Sequence, residues 1–240
     1  IQPPSLNWLR SPSQLAKEFA FPSNDEIVAM VHESCASKDR QKVANAQRTV
    51  LEAMLENLAP DNQHQAWMEA TALLCRTCQE LGMIDKAATL LQHIINRGPI
   101  DEKVYMDHEP LTLIETLLSR TDPATVSRDV YLQSSLDPAV NLYLPTYTIR
   151  PSGPNPRVYE VGCRLMEAAF AAKRTHRIMG IYRRCNLIAG DDAERLTSWF
   201  LTKLYERHDY KDAVKLFLST YALANPAEPR GIHAVGSVIV

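Results

Sequence analysis

Six positions spaced along one face of an α-helix recur through this 240-residue chain, and that recurrence limits its possible folds more than any other feature. Between Ile84 and Ile95, apolar or small residues stand at Ile84, Ala87, Ala88, Leu91, Ile94 and Ile95, the stripe expected of a 3.6-residue period. The template reappears as Tyr210, Ala213, Val214, Phe217, Thr220 and Tyr221, and 35 residues before that as Thr175, Ile178, Met179, Tyr182, Cys185 and Asn186. Upstream it reads Val43, Ala46, Gln47, Val50, Ala53 and Met54, and a weaker copy is expected to start at Val126, with Val130 and Tyr131.

A second helical stretch and a short polar break precede each copy. Leu74, Cys78 and Leu81 form a stripe before Ile84, and Leu196, Trp199, Phe200 and Leu204 form one before Tyr210. The breaks are Ser37-Lys38-Asp39, Gly82-Met83, Lys173-Arg174 and Arg207-His208-Asp209, short enough to force antiparallel neighbours. Ser23 with Glu26, and Asp191 with Glu194 after Gly190, carry capping-box spacing. Asp122-Pro123 places a capping carboxylate before a proline suited to a first helical position, and Asp209 is positioned to cap the last long helix. Five helix–turn–helix units follow, at 24–58, 66–98, 110–134, 158–189 and 191–223. A hairpin of this kind buries only one of its two apolar stripes internally, so the second requires the next hairpin. No stretch sustains a two-residue alternation. The expected fold class is all-α: an α-solenoid of about five hairpins, in two blocks at 24–134 and 158–223.

The remaining segments read as non-helical. Residues 1–23 form an extended arm. Residues 135–157, with Pro138, Pro145, Pro151, Pro154 and Pro156, form a Pro-rich strap between the two blocks, since proline interrupts a helix. Residues 224–240 form a C-terminal arm with an apolar end. The start of the chain lacks acidic residues before Glu18 and carries Arg10, Lys17, Ser5, Ser11 and Ser13, which fits the remnant of an organellar transit peptide.

Two stretches resemble a pentatricopeptide repeat. One runs from Leu74 through Gly82-Met83-Ile84-Asp85-Lys86 to Ala87-Ala88, followed by Asn96-Arg97-Gly98-Pro99 and Val104-Tyr105; the other runs from Trp199 to Phe217. The 35-residue offset between Thr175 and Tyr210 equals that family's period. Tetratricopeptide repeats are similar, but they want a small residue where Leu201 stands. The resemblance implies an organellar RNA-binding solenoid or a structural subunit of a mitochondrial ribosome or comparable assembly. It thus implies a place in the mitochondrion, on the matrix side, with other protein subunits as partners. No base-reading positions can be aligned.

The charge pattern bears on the partner. Twenty-six basic and 28 acidic residues leave a formal charge of −2, which excludes a generally basic coat for polyanions. Against that background Lys173, Arg174, His176, Arg177, Arg183 and Arg184 form a local basic cluster. Lys173, Arg174, Arg177, Arg183 and Arg184 are the candidate RNA-phosphate residues, because guanidinium forks suit phosphate oxygens, and the seven-residue spacing puts Arg177 and Arg184 on one helical face. The bland alternative is a solvated face paired with Glu167 or Asp191.

Chemistry of other kinds finds little support. Five cysteines form no disulfide framework, and Cys75-Arg76-Thr77-Cys78 lacks the second ligand pair that closes a zinc tetrahedron. The seven histidines are scattered, Asp107-His108-Glu109 reads as a helix-entry turn before Pro110, and Trp8, Trp67 and Trp199 read as core or interface residues. No nucleophile elbow or phosphate loop is present. The expectation is therefore a non-enzymatic subunit with no catalytic residues, metal, cofactor or small-molecule substrate. No apolar run reaches the ~18–20 residues of a membrane span. The competing expectation is a protein–protein scaffold, or an accessory subunit of a mitochondrial membrane complex, without RNA contact.

Overall fold

The structure, a computed structural model, describes residues 21–122, 124–143, 155–188 and 192–215, with backbone alone at 175–177, 187 and 188. Residues 1–20 of the expected N-terminal arm, the whole expected C-terminal arm at 224–240, the end of the fifth unit at 216–223 with Phe217, Thr220 and Tyr221, residues 144–154 of the strap, and the Asp191 cap lie outside them. Among the described residues every regular element is helical and no strand occurs. In chain order these are α1 (Asn24–Ser37), α2 (Arg40–Leu55), α3 (Gln65–Glu80), α4 (Ile84–Asn96), α5 (Glu102–Asp107) and α6 (Pro110–Ser119). A continuous rod follows, made of α7 (Arg128–Tyr131), a π-helical turn (Leu132–Leu136) and α8 (Asp137–Tyr143). Then come α9 (Pro156–Ala171), α10 (Thr175–Ile188), α11 (Ala193–Glu206) and a helical turn at 210–215.

The start signals act through side chains. Ser23 completes its capping box, its N–H donating to Glu26 Oε2 at 2.7 Å and its hydroxyl accepting from the Glu26 N–H. Asp39 accepts from the Gln41 and Lys42 N–H groups at 2.8 and 2.9 Å. Pro110 and Pro156 stand in the first turns of α6 and α9, where a missing N–H costs nothing.

The four short breaks share one backbone solution. Lys38, Gly82, Lys173 and His208 adopt φ values of 50°, 68°, 56° and 59°, and in each case the next helix begins two residues later. At Gly82, Lys173 and His208 the bonding is identical. The left-handed residue's N–H donates to Gln79, Phe170 or Tyr205, and the following N–H donates to Cys78, Ala169 or Leu204 at 2.8 to 2.9 Å. This double closure satisfies the last carbonyls of the first helix. Three of the four left-handed positions carry a Cβ, at a cost of roughly 1–2 kcal/mol each.

Neighbouring turns are joined by arginines that donate to carbonyls at the helix ends, Phe170 O accepting from both Lys173 and Arg207. Arg40 donates to Leu81 O at 2.6 Å, Arg128 to Ala172 O at 2.9 Å, and Arg207 to Phe170 O at 2.6 Å.

Packing follows an alternating order. α1 packs on α2 and α3; α2 on α4; α3 on α4 and α5; α4 on α6 and α8; α6 on α8 and α9; α8 on α9 and α10; and α10 on α11. The aromatic contacts of Phe170 with Trp199 and Phe200 tie α9 to α11. A single apolar core runs from Ile27 to Ala213. The template positions supply much of it: Val43, Ala46, Val50, Ala87, Leu91, Ile94, Ile178, Tyr182 and Cys185 are all buried. In the last copy Ala213 is buried while Tyr210 and Val214 stand half exposed.

Three expectations need correction. The Pro-rich segment does not interrupt helix from residue 135, because α8 continues through Pro138 to Tyr143 and α9 already begins at Pro156. Pro138 has no N–H for the Ser134 carbonyl, and its ring would press on that carbonyl in a regular helix. The π turn widens the rod immediately before the proline, with the Asp137 N–H reaching Leu132 O, and the Arg120 guanidinium donates to the freed Ser134 carbonyl. The weak copy at Val126 is also displaced. Its helix starts at Arg128 under a Ser127 cap, Val130 points outward, and Asp122 caps a turn through the Ala124 N–H at 2.9 Å. Finally, a short helix, α5, lies between the second and third units, where none was expected.

Candidate functional site

α10 and the turn before it carry the basic cluster, and the structure disperses it. Lys173 and Arg183 are exposed. Lys173 occupies the left-handed turn position, which projects its side chain while its carbonyl receives Arg128 Nη2 at 3.4 Å. Arg174 is committed to Asp137 on α8, with Nη2 to Oδ2 at 3.3 Å, and two-thirds of its side chain is covered. The side chains of His176 and Arg177 lie outside the described residues.

Arg184 corrects the expectation most directly. It is only 2% exposed and cannot belong to a surface phosphate patch. The buried stripe of α10 is Ile178, Ile181, Tyr182 and Cys185, and Arg184, three positions after Ile181, follows it inward. Its charge acts on Tyr105 of α5 and Tyr143 of α8. Its Nε and Nη1 atoms have no hydrogen-bond partner among the described residues. Spacing alone fixes which residues share a face but not whether a long aliphatic stem carries its head outward or lies along the core.

Beside Arg184, three helices converge on Gly162 of α9. The Tyr143 hydroxyl donates to Val158 O at 3.0 Å and lies 3.2 Å from Cys185 Sγ. A Cβ on Gly162 would fall inside the contact distance of both the Tyr143 hydroxyl and Cys185 Sγ. Burial holds the Tyr143 hydroxyl well above its usual range. The neighbouring Cys163 thiol and burial raise the pKa of the Cys185 thiol. This is a packing junction of α8, α9 and α10.

The other candidates settle as core. Cys75 and Cys78 are fully buried, and burial pushes both thiols up to about 12. His108 is buried, with Nδ1 2.7 Å from Val104 O and Nε2 3.2 Å from Thr71 Oγ1. Desolvation lowers its pKa to about 4, so the ring is neutral near pH 7. The Asp107-His108-Glu109 trio forms the tight entry to α6, with Glu109 at φ 51°. Trp67 is buried, and Trp199 packs edge-on against Phe170. Among the described residues no group of three or more His, Cys, Asp or Glu side chains could hold a metal ion. No described helix is long and apolar enough to cross a membrane.

None of the family models matches the chain, and neither curated proteins nor solved structures give a match.

Proposed function

We propose that this chain is a helical-repeat solenoid of pentatricopeptide type, serving without catalysis as a subunit of a larger organellar assembly, a ribonucleoprotein on the matrix side of the mitochondrion. One observation supports the reading: apart from α3 and α6, helices in equivalent positions of neighbouring hairpins contact one another, and the turns after α1, α3, α9 and α11 each carry one left-handed residue. The series α2–α4–α8–α10 is continuous in contact, and α1–α3, α6–α9 and α9–α11 form the opposite layer, with α5 wedged between α3 and α6. A two-layered stack of this kind offers long surfaces for partners and needs no enclosed active site. RNA contact, in this reading, rests on exposed Lys173 and Arg183, with phosphates positioned rather than bases read.

A second reading, a scaffold for proteins alone, is favoured by the same cluster. Burial of Arg184 and pairing of Arg174 remove two of the five candidate phosphate ligands. Purification of the native assembly with and without ribonuclease decides between the two. The first reading expects co-purifying RNA and a nuclease-sensitive assembly; an intact, RNA-free assembly supports the scaffold.

A further inference from the structure

Of the five cysteines, Cys163 alone is not buried, and it stands on α9 beside a sulfur of α10. Gly162 makes the contact possible: with no side chain there, Cys185 Sγ occupies the space that a Cβ would take. The Cys185 thiol donates to Tyr159 O at 3.9 Å, the carbonyl that accepts from the Cys163 N–H in a regular helix. Cys185 Sγ therefore rests on the one turn of α9 that ends at Cys163, and the Cys163 thiol is its neighbour. α9 packs on α10 more extensively than any other two described helices pack together. A disulfide requires Cα atoms within about 7 Å of each other, and a glycine contact between two helices permits that approach.

Access and activation are divided between the two thiols. Cys163 is partly exposed and can meet a small oxidant, whereas Cys185 is buried. The Cys163 thiol, ahead of burial, raises the pKa of Cys185, while the Tyr143 hydroxyl at 3.2 Å and the buried charge of Arg184 favour its thiolate. Oxidation of Cys163 removes the first of these influences and leaves the two that favour attack. We infer that Cys163 and Cys185 are a peroxide-reactive pair that closes into a disulfide bridging α9 and α10. The Cys163 thiolate attacks the O–O bond of hydrogen peroxide, keeps one oxygen as a sulfenic acid and releases hydroxide. The Cys185 thiolate then attacks that sulfur, forming the S–S bond and expelling a second hydroxide. With the two thiol protons, the hydroxides leave as water: two thiols and one peroxide become one disulfide and two waters, and two electrons pass from sulfur to oxygen. Cys35, Cys75 and Cys78 are buried and offer the oxidant no entry. This inference holds whether or not RNA binds elsewhere.

The test treats the reduced full chain with hydrogen peroxide at neutral pH, counts thiols after denaturation and maps tryptic peptides without reduction. Free thiols should fall from five to three, and the peptide 158–164 should appear linked to the peptide 185–195. Dithiothreitol should restore all five thiols. In Cys185→Ser the reaction should stop at a Cys163 sulfenic acid that dimedone traps, with at least tenfold less adduct in wild type. In Cys163→Ser the loss of thiols should slow at least tenfold. The wild-type peptide map decides by itself if either variant folds poorly, as checked by circular dichroism. Oxidation of Cys163 without a linked peptide, a bridge to a different cysteine, or equal thiol loss in Cys163→Ser would overturn the inference. So would survival of all five thiols under conditions that fully oxidise free glutathione.

Discussion

Substituting alanine for Gly162 tests whether α8, α9 and α10 really meet at one point. At an open position in a helix, glycine to alanine stabilises by ~0.5–1 kcal/mol because the unfolded chain loses freedom. Here the new methyl would fall within contact distance of Cys185 Sγ and the Tyr143 hydroxyl, and 2.8 Å from Tyr143 Cζ, against ~3.5–4.0 Å for an ordinary carbon contact. Neither neighbour has room to retreat. Tyr143 is 2% exposed and bonded to Val158 O, and Cys185 is fully buried. Overpacking costs ~1–3 kcal/mol, and loss of the Tyr143 hydrogen bond adds ~1 kcal/mol. After the helix-propensity gain is subtracted, Gly162→Ala should lower stability by about 1–3 kcal/mol. Urea unfolding followed by far-ultraviolet circular dichroism measures this directly. Adding Cys185→Ala removes the closest obstacle, so the double variant should lose at least 1 kcal/mol less than the sum of the two single losses. If Gly162→Ala is as stable as wild type, or if the two losses simply add, the three-helix junction is misassigned.

Further outcomes follow from the same geometry. Folding holds His108 neutral with a pKa near 4, against ~6.5 in an unfolded chain, so the unfolded state binds the extra proton between those values. The stability of wild type relative to His108→Asn should therefore be constant above pH ~6.5 and fall by up to ~3 kcal/mol by pH 4; parallel stability curves for the two proteins would refute this. Asp39→Ala removes two cap hydrogen bonds from α2 and should cost ~1 kcal/mol in urea unfolding, with an unchanged midpoint counting against the cap. Lys173→Ala/Arg183→Ala should weaken binding of single-stranded RNA and reduce the slope of log affinity against log salt by ~1.4, for two phosphates lost. Binding that is identical to wild type at every salt concentration would reject the phosphate role. Ala213→Phe should cost ~1–3 kcal/mol from overpacking, and an unchanged melting curve would argue against the register of the last hairpin.

Much of the helical arrangement was legible in the sequence because it rests on local chemistry. The Ser23 and Asp39 caps, the buried template positions and the turn at Gly82 each follow from a few neighbouring residues. Lys38, Lys173 and His208 adopt the same left-handed turn without glycine, and only their short spacing between amphipathic stretches marked them. The continuation of helix through Pro138 was not legible, since it depends on Arg120, fourteen residues upstream of Ser134, capturing a freed carbonyl. α5 escaped because six residues give less than two turns of periodicity. The basic cluster was readable as a local concentration of charge. Its fate depended on long-range partners: Asp137 for Arg174, and the core between α5, α8 and α10 for Arg184. No spacing rule carries that information.

Hydrogen exchange with mass spectrometry on Ile27→Ala tests the stacked-hairpin architecture most directly. Ile27 is 1% exposed in α1, and its truncation should remove ~2–5 kcal/mol from the first hairpin. In an array where each hairpin leans only on its neighbours, protection should fall through α1 to α4 while α9 to α11 retain wild-type exchange. An equal loss of protection in every helix would mean a single undivided cooperative core, and would contradict the account.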